Sequence, residues 1–166
     1  AGGLIGNVRG KYNYSVNIKS CYADAEIKGT ASSGFAGGLV GWTGGSTTID
    51  NSYAVVDMDV EAGNSIGGLV GCGNDSKVKI SHSYAAGEAL TKNPIGASVA
   101  GISANGSISS CVSIFPEMRS LNRIGGTTGS CRDNYGFAGT VARKSDGTIL
   151  TPDPDTMGAA KLYGAD

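Results

Sequence analysis

The sequence predicts an all-β protein, a right-handed parallel β-solenoid of about five coils with a repeat of about thirty residues. Three observations carry this. Gly37-Gly38-Leu39-Val40-Gly41 recurs as Gly67-Gly68-Leu69-Val70-Gly71, with a variant at Gly2-Gly3-Leu4-Ile5-Gly6. Two decayed copies are read at Ala97-Ser98-Val99-Ala100-Gly101 and Gly125-Gly126-Thr127-Thr128-Gly129, so the phrases begin at 2, 37, 67, 97 and 125. A second phrase keeps the same period: Ile18-Lys19-Ser20-Cys21-Tyr22-Ala23, Ile49-Asp50-Asn51-Ser52-Tyr53-Ala54, Ile80-Ser81-His82-Ser83-Tyr84-Ala85 and Ile108-Ser109-Ser110-Cys111-Val112-Ser113. Finally, the periodicity inside each repeat is two, the mark of strands, and no stretch before residue 155 has a helical period.

The repeats fall at 2–31, 32–62, 63–92, 93–120 and a compressed 121–141, in which Asn134-Tyr135-Gly136 stands in for Ser-Tyr-Ala. Residues 1–141 are thus one repeat domain. Residues 142–166 are expected to be a cap or the start of a further module, with a helical turn from Asp155 to Leu162. The Gly phrase predicts a short strand bounded by glycines that permit positive φ and close backbone approach. In the Ser-Tyr-Ala phrase one parity is small or apolar: Cys21, Ala23, Ala25, Ile27; Ser52, Ala54, Val56, Met58, Val60; Ser83, Ala85, Gly87, Ala89; Cys111, Ser113, Phe115. The other holds Tyr22, Asp24, Glu26, Lys28; Tyr53, Val55, Asp57, Asp59, Glu61; Tyr84, Ala86, Glu88. Alternation of this kind puts the first set in the core and the second in solvent. The inward columns are then Leu4/Leu39/Leu69, Ile18/Ile49/Ile80/Ile108 and Cys21/Ser52/Ser83/Cys111. Ile49 and Ser52 differ in parity, so both can face inward only if the chain bends near Asn51; without the bend Tyr turns in and the serines turn out.

Composition narrows the functional classes. Gly makes up 28 of 166 residues and Pro only 4, and the glycine is periodic, which points to ordered turns rather than disorder. A net charge of −1 gives no reason to expect nucleic acid or an anionic membrane as partner. No apolar run approaches the roughly 20 residues that span a bilayer. Cys21 and Cys111 share a column three repeats apart, roughly 14 Å at the usual strand spacing, too far for a disulfide. The absence of CxxC and the single histidine, His82, argue against a Cys/His zinc site or a His-dependent triad. No cofactor is expected. Asn13, Asn74 and Asn105 each open an Asn-x-Ser sequon.

Two surface features could carry function. Tyr22, Tyr53 and Tyr84 form an outward column that could offer stacking and phenol hydrogen bonds to sugars or to a partner's apolar groups; the alternative is a ladder that stabilises only the sheet. Beside it, Asp57, Asp59 and Glu61, with Asp24, Glu26 and Glu88, form an acidic strip. It could bind calcium or supply the acid pair of a β-helical carbohydrate-active enzyme, but a solvated acidic face is the simpler account.

The Gly-Gly-Leu-Val-Gly phrase followed by Ile-x-Asn-Ser-Tyr-Ala resembles the GLUG repeat family of bacterial secreted and surface proteins, which includes adhesins, haemagglutinin-like proteins and some immunoglobulin A peptidases. The resemblance covers residues 2 to about 141 and is closest in the second and third repeats. It implies a non-enzymatic extracellular or cell-surface module, used in adhesion or presentation, with glycan or protein partners. Peptidase activity of such relatives would lie outside this segment, since the repeat carries no catalytic residues. The strand at Leu4-Ile5 is expected to be a vulnerable edge, covered by self-association or by the Lys11–Asn17 loop.

Overall fold

A computed structural model of the chain describes residues 1–9, 14–29, 34–60, 65–73, 77–90, 98–119, 123–128, 130–143, 146–150 and 160–163. The molecule is all-β, built from parallel sheets, an arrangement consistent with a β-solenoid-like fold. The second repeat shows the plan with four strands, Phe35–Gly37, Val40–Thr43, Ser46–Asp50 and Tyr53–Val60. Each belongs to a different sheet, and each pairs in parallel with its counterpart in the next repeat. The sheet holding Ser46–Asp50 is called here the Ile sheet and that holding Tyr53–Val60 the Tyr sheet.

The Gly phrase is not one strand but a corner. Strands end at Gly37 and restart at Val40, with Gly38 and Leu39 between them. The glycines serve close approach, not positive φ: a Cβ on Gly38 would lie 2.0 Å from the Gly68 carbonyl oxygen and 2.5 Å from the Ala54 Cβ. Leu39 and Leu69 point inward and are fully buried, and backbone hydrogen bonds carry their column on to Ile102 and Ile124. Leu4, expected to point inward with them, is instead 47 % exposed; its N–H donates to the Leu39 carbonyl, and among the described residues it stands at the end of the column. The strand Ile5–Val8 likewise pairs on one side, with Val40–Thr43. Ser15–Lys19 is a strand of the Ile sheet, so that part of the expected covering loop is not folded over the edge; residues 11–13 lie outside the described residues.

The register corrects the phase of the weaker repeats. Val99 pairs with Ile66, Ala100 with Gly67 and Ser103 with Val70, so the fourth phrase is Ala100-Gly101-Ile102-Ser103 and not the stretch from Ala97. The fifth is read from Arg123-Ile124-Gly125: Ile124 accepts the Ile102 N–H, and Ser103 pairs with Gly125. Arg123 stands where Gly38, Gly68 and Gly101 stand in earlier repeats. Its buried side chain fills the space over Gly136, which replaces the Ala54 and Ala85 of those repeats. Burial lowers the Arg123 pKa.

The bend that the parity argument requires is present in every repeat. Ser20, Asn51, His82, Ser110 and Asp133 have φ of 51°, 47°, 46°, 53° and 54°, in the left-handed region. Each rotates the chain between the Ile and Tyr sheets, so that Ile49 and Ser52 both face the core. Ile18, Ile49, Ile80 and Ile108 form the expected inward column, in register. The Tyr sheet differs from expectation at Gly87. Ala86 pairs with Val55 but Leu90 with Met58, which puts one extra residue into the third repeat, a β-bulge. Past Gly87 the register therefore shifts by one residue, and Leu90, not Ala89, pairs with Met58.

After residue 141 the Tyr sheet continues. Ile149–Leu150 pairs antiparallel with Val141–Arg143, and Ala160–Tyr163 pairs in parallel with Asn134–Phe137. The expected helical turn is thus strand at Ala160–Leu162, where parallel pairing supplies backbone partners; residues 155–159 lie outside the described residues.

Candidate functional site: the outer face of the Tyr sheet

The face is set from beneath by a polar ladder. At each bend the regular strand bonding is interrupted, and the N–H that follows needs an acceptor. The Cys21 N–H donates to Ser52 Oγ at 3.2 Å, the Ser52 N–H to Ser83 Oγ at 3.1 Å and the Cys111 N–H to Asn134 Oδ1 at 2.9 Å. Ser83 supplies a backbone hydrogen bond to Cys111. The side chains in turn donate within their own repeats, Ser52 Oγ to the Asp50 carbonyl, Ser83 Oγ to that of Ser81 and Cys111 Sγ to that of Ser109. Asn134 Nδ2 closes the run on the Ile108 carbonyl. The column is therefore small because it is crowded and polar because it must bond. Burial pushes the Cys111 thiol up to about 11, so it stays protonated. All four cysteines are free.

With Ser52, Ser83 and Cys111 held inward, the tyrosines face out. Tyr22 and Tyr53 stack with ring centroids 5.3 Å apart at 14°, and Tyr53 and Tyr84 at 4.7 Å and 4°. The rings are turned to one another, which covers both faces of Tyr53, while Tyr22, at the end of the stack, is 64 % exposed. Burial, and to a lesser degree Tyr53, raises the Tyr84 pKa. The column continues through Val112 to Tyr135. The next outward column runs Asp24, Val55, Ala86, Ile114.

The acidic residues lie on one flank of these columns. Glu26 pairs with Asp57, and Lys28 with Asp59, across adjacent strands. The Lys28 ammonium bridges to the Glu26 carboxylate, which raises its pKa, with smaller help from Asp59 and Asp57. Asp24 falls opposite Val55, so the carboxylates do not form one column. Asp24, Glu26, Asp57 and Glu88 line a surface depression of about 330 Å³ with Val55 and Gly87, opened by the bulge. Glu61 lies outside the described residues. Among the described residues no group of three His, Cys, Asp or Glu could hold a metal ion, and no helix is long and apolar enough to cross a membrane.

At the neighbouring bend Asp50 accepts from Ser81 Oγ at 2.8 Å and meets His82 Nδ1 at 2.9 Å. His82 occupies the left-handed position, and Ser81 Oγ bonds the Asp50 carboxylate and not the imidazole. Of the sequons, Asn13 and Asn74 lie outside the described residues, and the Asn105 amide donates to the Gly73 carbonyl. Sequence reasoning missed the ladder role of the small column, the bulge and the apolar column beside the tyrosines. The out-of-phase Leu90 and the pair Val55 and Ile114 were the available signals. Comparison of the chain with protein-family models, with curated proteins and with solved structures finds no match.

Proposed function

We propose that the parallel sheets wind as a right-handed β-solenoid of about five coils and that the chain is a GLUG-type, non-enzymatic module of a bacterial extracellular or surface protein. It presents the outer face of the Tyr sheet to a partner, in adhesion or display. The observation that carries this is the face itself: a flat, in-register surface on which aromatic and aliphatic side chains stand exposed, held by a hydrogen-bonded column beneath. Apolar surface kept in solvent across successive repeats costs solubility and is a mark of interaction sites. The surface location rests on the repeated phrases, which resemble those of surface proteins.

The acidic strip supports a binding role better than a hydrolytic one. Glu26 is engaged by Lys28, and Asp24 is set apart by Val55. Incubation with a panel of neutral and acidic polysaccharides, followed by a reducing-sugar assay, is expected to show no release above buffer. Release that disappears on Asp57→Asn would overturn the proposal in favour of a carbohydrate-active enzyme.

A further inference from the structure

The outer face joins two properties that belong together in one kind of ligand. Along it run two apolar columns, with Val55 at 38 %, Tyr84 at 36 %, Ile114 at 38 % and Tyr135 at 41 % exposed. On the flank, the bulge at Gly87 opens the acidic depression between Asp57 and Glu88. One carboxylate oxygen of Asp57 is buried there and has no hydrogen-bond partner among the described residues. A cationic donor brought by a ligand into the depression would meet the carboxylates of Asp57 and Glu88 that line it.

We infer that this face docks a basic, amphipathic polypeptide segment. Its aliphatic side chains lie on Val55, Tyr84 and Ile114, and a lysine or arginine enters the depression to bond Asp57 and Glu88. The inference rests on the binding-module reading above and names the partner class. Charge complementarity selects it, because a cation gains at the carboxylates what an anionic ligand would lose. A glycan fits less well: the tyrosine rings close their faces on one another, and Val55 and Ile114 offer no hydrogen bonds to hydroxyls. A second copy of this chain is a poor occupant through its lysine-bearing Ile sheet, where Lys79 lies in a row with Asn17, Thr48 and Ser107 and has no aliphatic neighbour in that row to match the apolar columns.

The test uses the whole chain and three short fluorescent peptides, alternating leucine–lysine, serine–lysine and leucine–glutamate, followed by anisotropy. The leucine–lysine peptide is expected to bind, and the other two at least about tenfold more weakly. Ile114→Lys should weaken it by about tenfold. Asp57→Asn combined with Glu88→Gln should weaken it and flatten its salt dependence. Circular dichroism and melting check that these variants stay folded, and the peptide comparison on the parent chain stands without them. Equal binding of the leucine–lysine and serine–lysine peptides, or binding unchanged in both variants, overturns the inference, as does displacement of the peptide by a soluble neutral glucan. Polysaccharide turnover sinks the binding-module reading instead, whatever the peptides do.

Discussion

The second and third repeats and the fourth and fifth solve the same packing problem with different residues. In the former, glycines stand at the corner, leucine points inward and serine bonds the neighbouring repeat. In the latter, Ile102 and Ile124 replace the leucines, Arg123 fills what Gly136 vacates, and Cys111 and Asn134 carry the ladder. The sheets run through both regions in parallel register. What specifies the repeat is therefore a small set of physical requirements: a fixed volume at the corner, an aliphatic column, an inward acceptor and a left-handed residue before it.

The largest expected break in this equivalence is at the corner. A Cβ on Gly68 would sit 2.0 Å from the Gly101 carbonyl oxygen and 2.6 Å from the Ala85 Cβ. Neither neighbour can yield, so Gly68→Ala should cost about 4 kcal/mol or more and leave little folded protein. The atoms nearest to a Cβ on Gly136 belong to the Arg123 side chain, its Cδ at 2.7 Å and its Cβ at 3.0 Å, and no backbone oxygen stands among them. Gly136→Ala should cost about 1–2 kcal/mol. Urea melts of both variants would check the difference, and equal costs would undo the argument that Arg123 is a flexible filler.

The ladder comes next. Ser83→Ala leaves the Ser52 N–H buried without its acceptor and should cost about 1–3 kcal/mol. Ser83→Cys imports the solution used at Cys111, whose sulfur takes the backbone hydrogen bond of Ser83, and should cost under about 1 kcal/mol, because sulfur is a weaker but adequate acceptor. The order of thermal midpoints, parent above Cys above Ala, is the measurement; Ala equal to parent would show that the ladder carries no stability.

At the bends the regions should diverge in the opposite sense. Serine at φ 53° is strained, whereas asparagine at φ 47° is tolerated. Ser110→Gly is expected to stabilise by up to about 1 kcal/mol and Asn51→Gly by less, or not at all. Differential scanning calorimetry of the pair compares them directly.

The smallest effect concerns pH. Hydrogen bonds from His82 and then Ser81 hold the Asp50 carboxyl below its ordinary value of 3.8. Asp50 therefore contributes stability that is present above the unfolded value and is lost as pH falls through the folded one. Melting temperatures of the parent should drop more below about pH 4 than those of Asp50→Asn; parallel curves would show that the bend is indifferent to this charge.

How much of this was legible follows from the same contrast. Where the corner is written in glycine and the ladder in serine, identical letters repeat and the phase is plain. Asn134 was placed correctly because Tyr135 follows it. The fourth phrase was set three residues early because Ala100 and Ile102 satisfy the volumes of Gly67 and Leu69 without their letters. The Gly87 bulge was hidden, since glycine suits an inward position as well as a bulge. At the site, the tyrosine column was readable from parity once the bend at Asn51 was allowed. The orientation of the rings was not, because stacking depends on side-chain torsions rather than on position along a strand.

The ladder joins residues that lie 31 positions apart in the chain, Cys21 to Ser52 and Ser52 to Ser83. This spacing fixes a mechanical quantum. Under tension, neighbours held mainly to the next repeat peel away one at a time, and each release frees a loop of chain about 100 Å long at roughly 3.4 Å per residue. A force–extension trace of this chain would then be a sawtooth whose tooth spacing is written in the hydrogen bonds of one small buried column. Its shortest tooth would come from the compressed repeat, where Cys111 reaches Asn134 only 23 positions away.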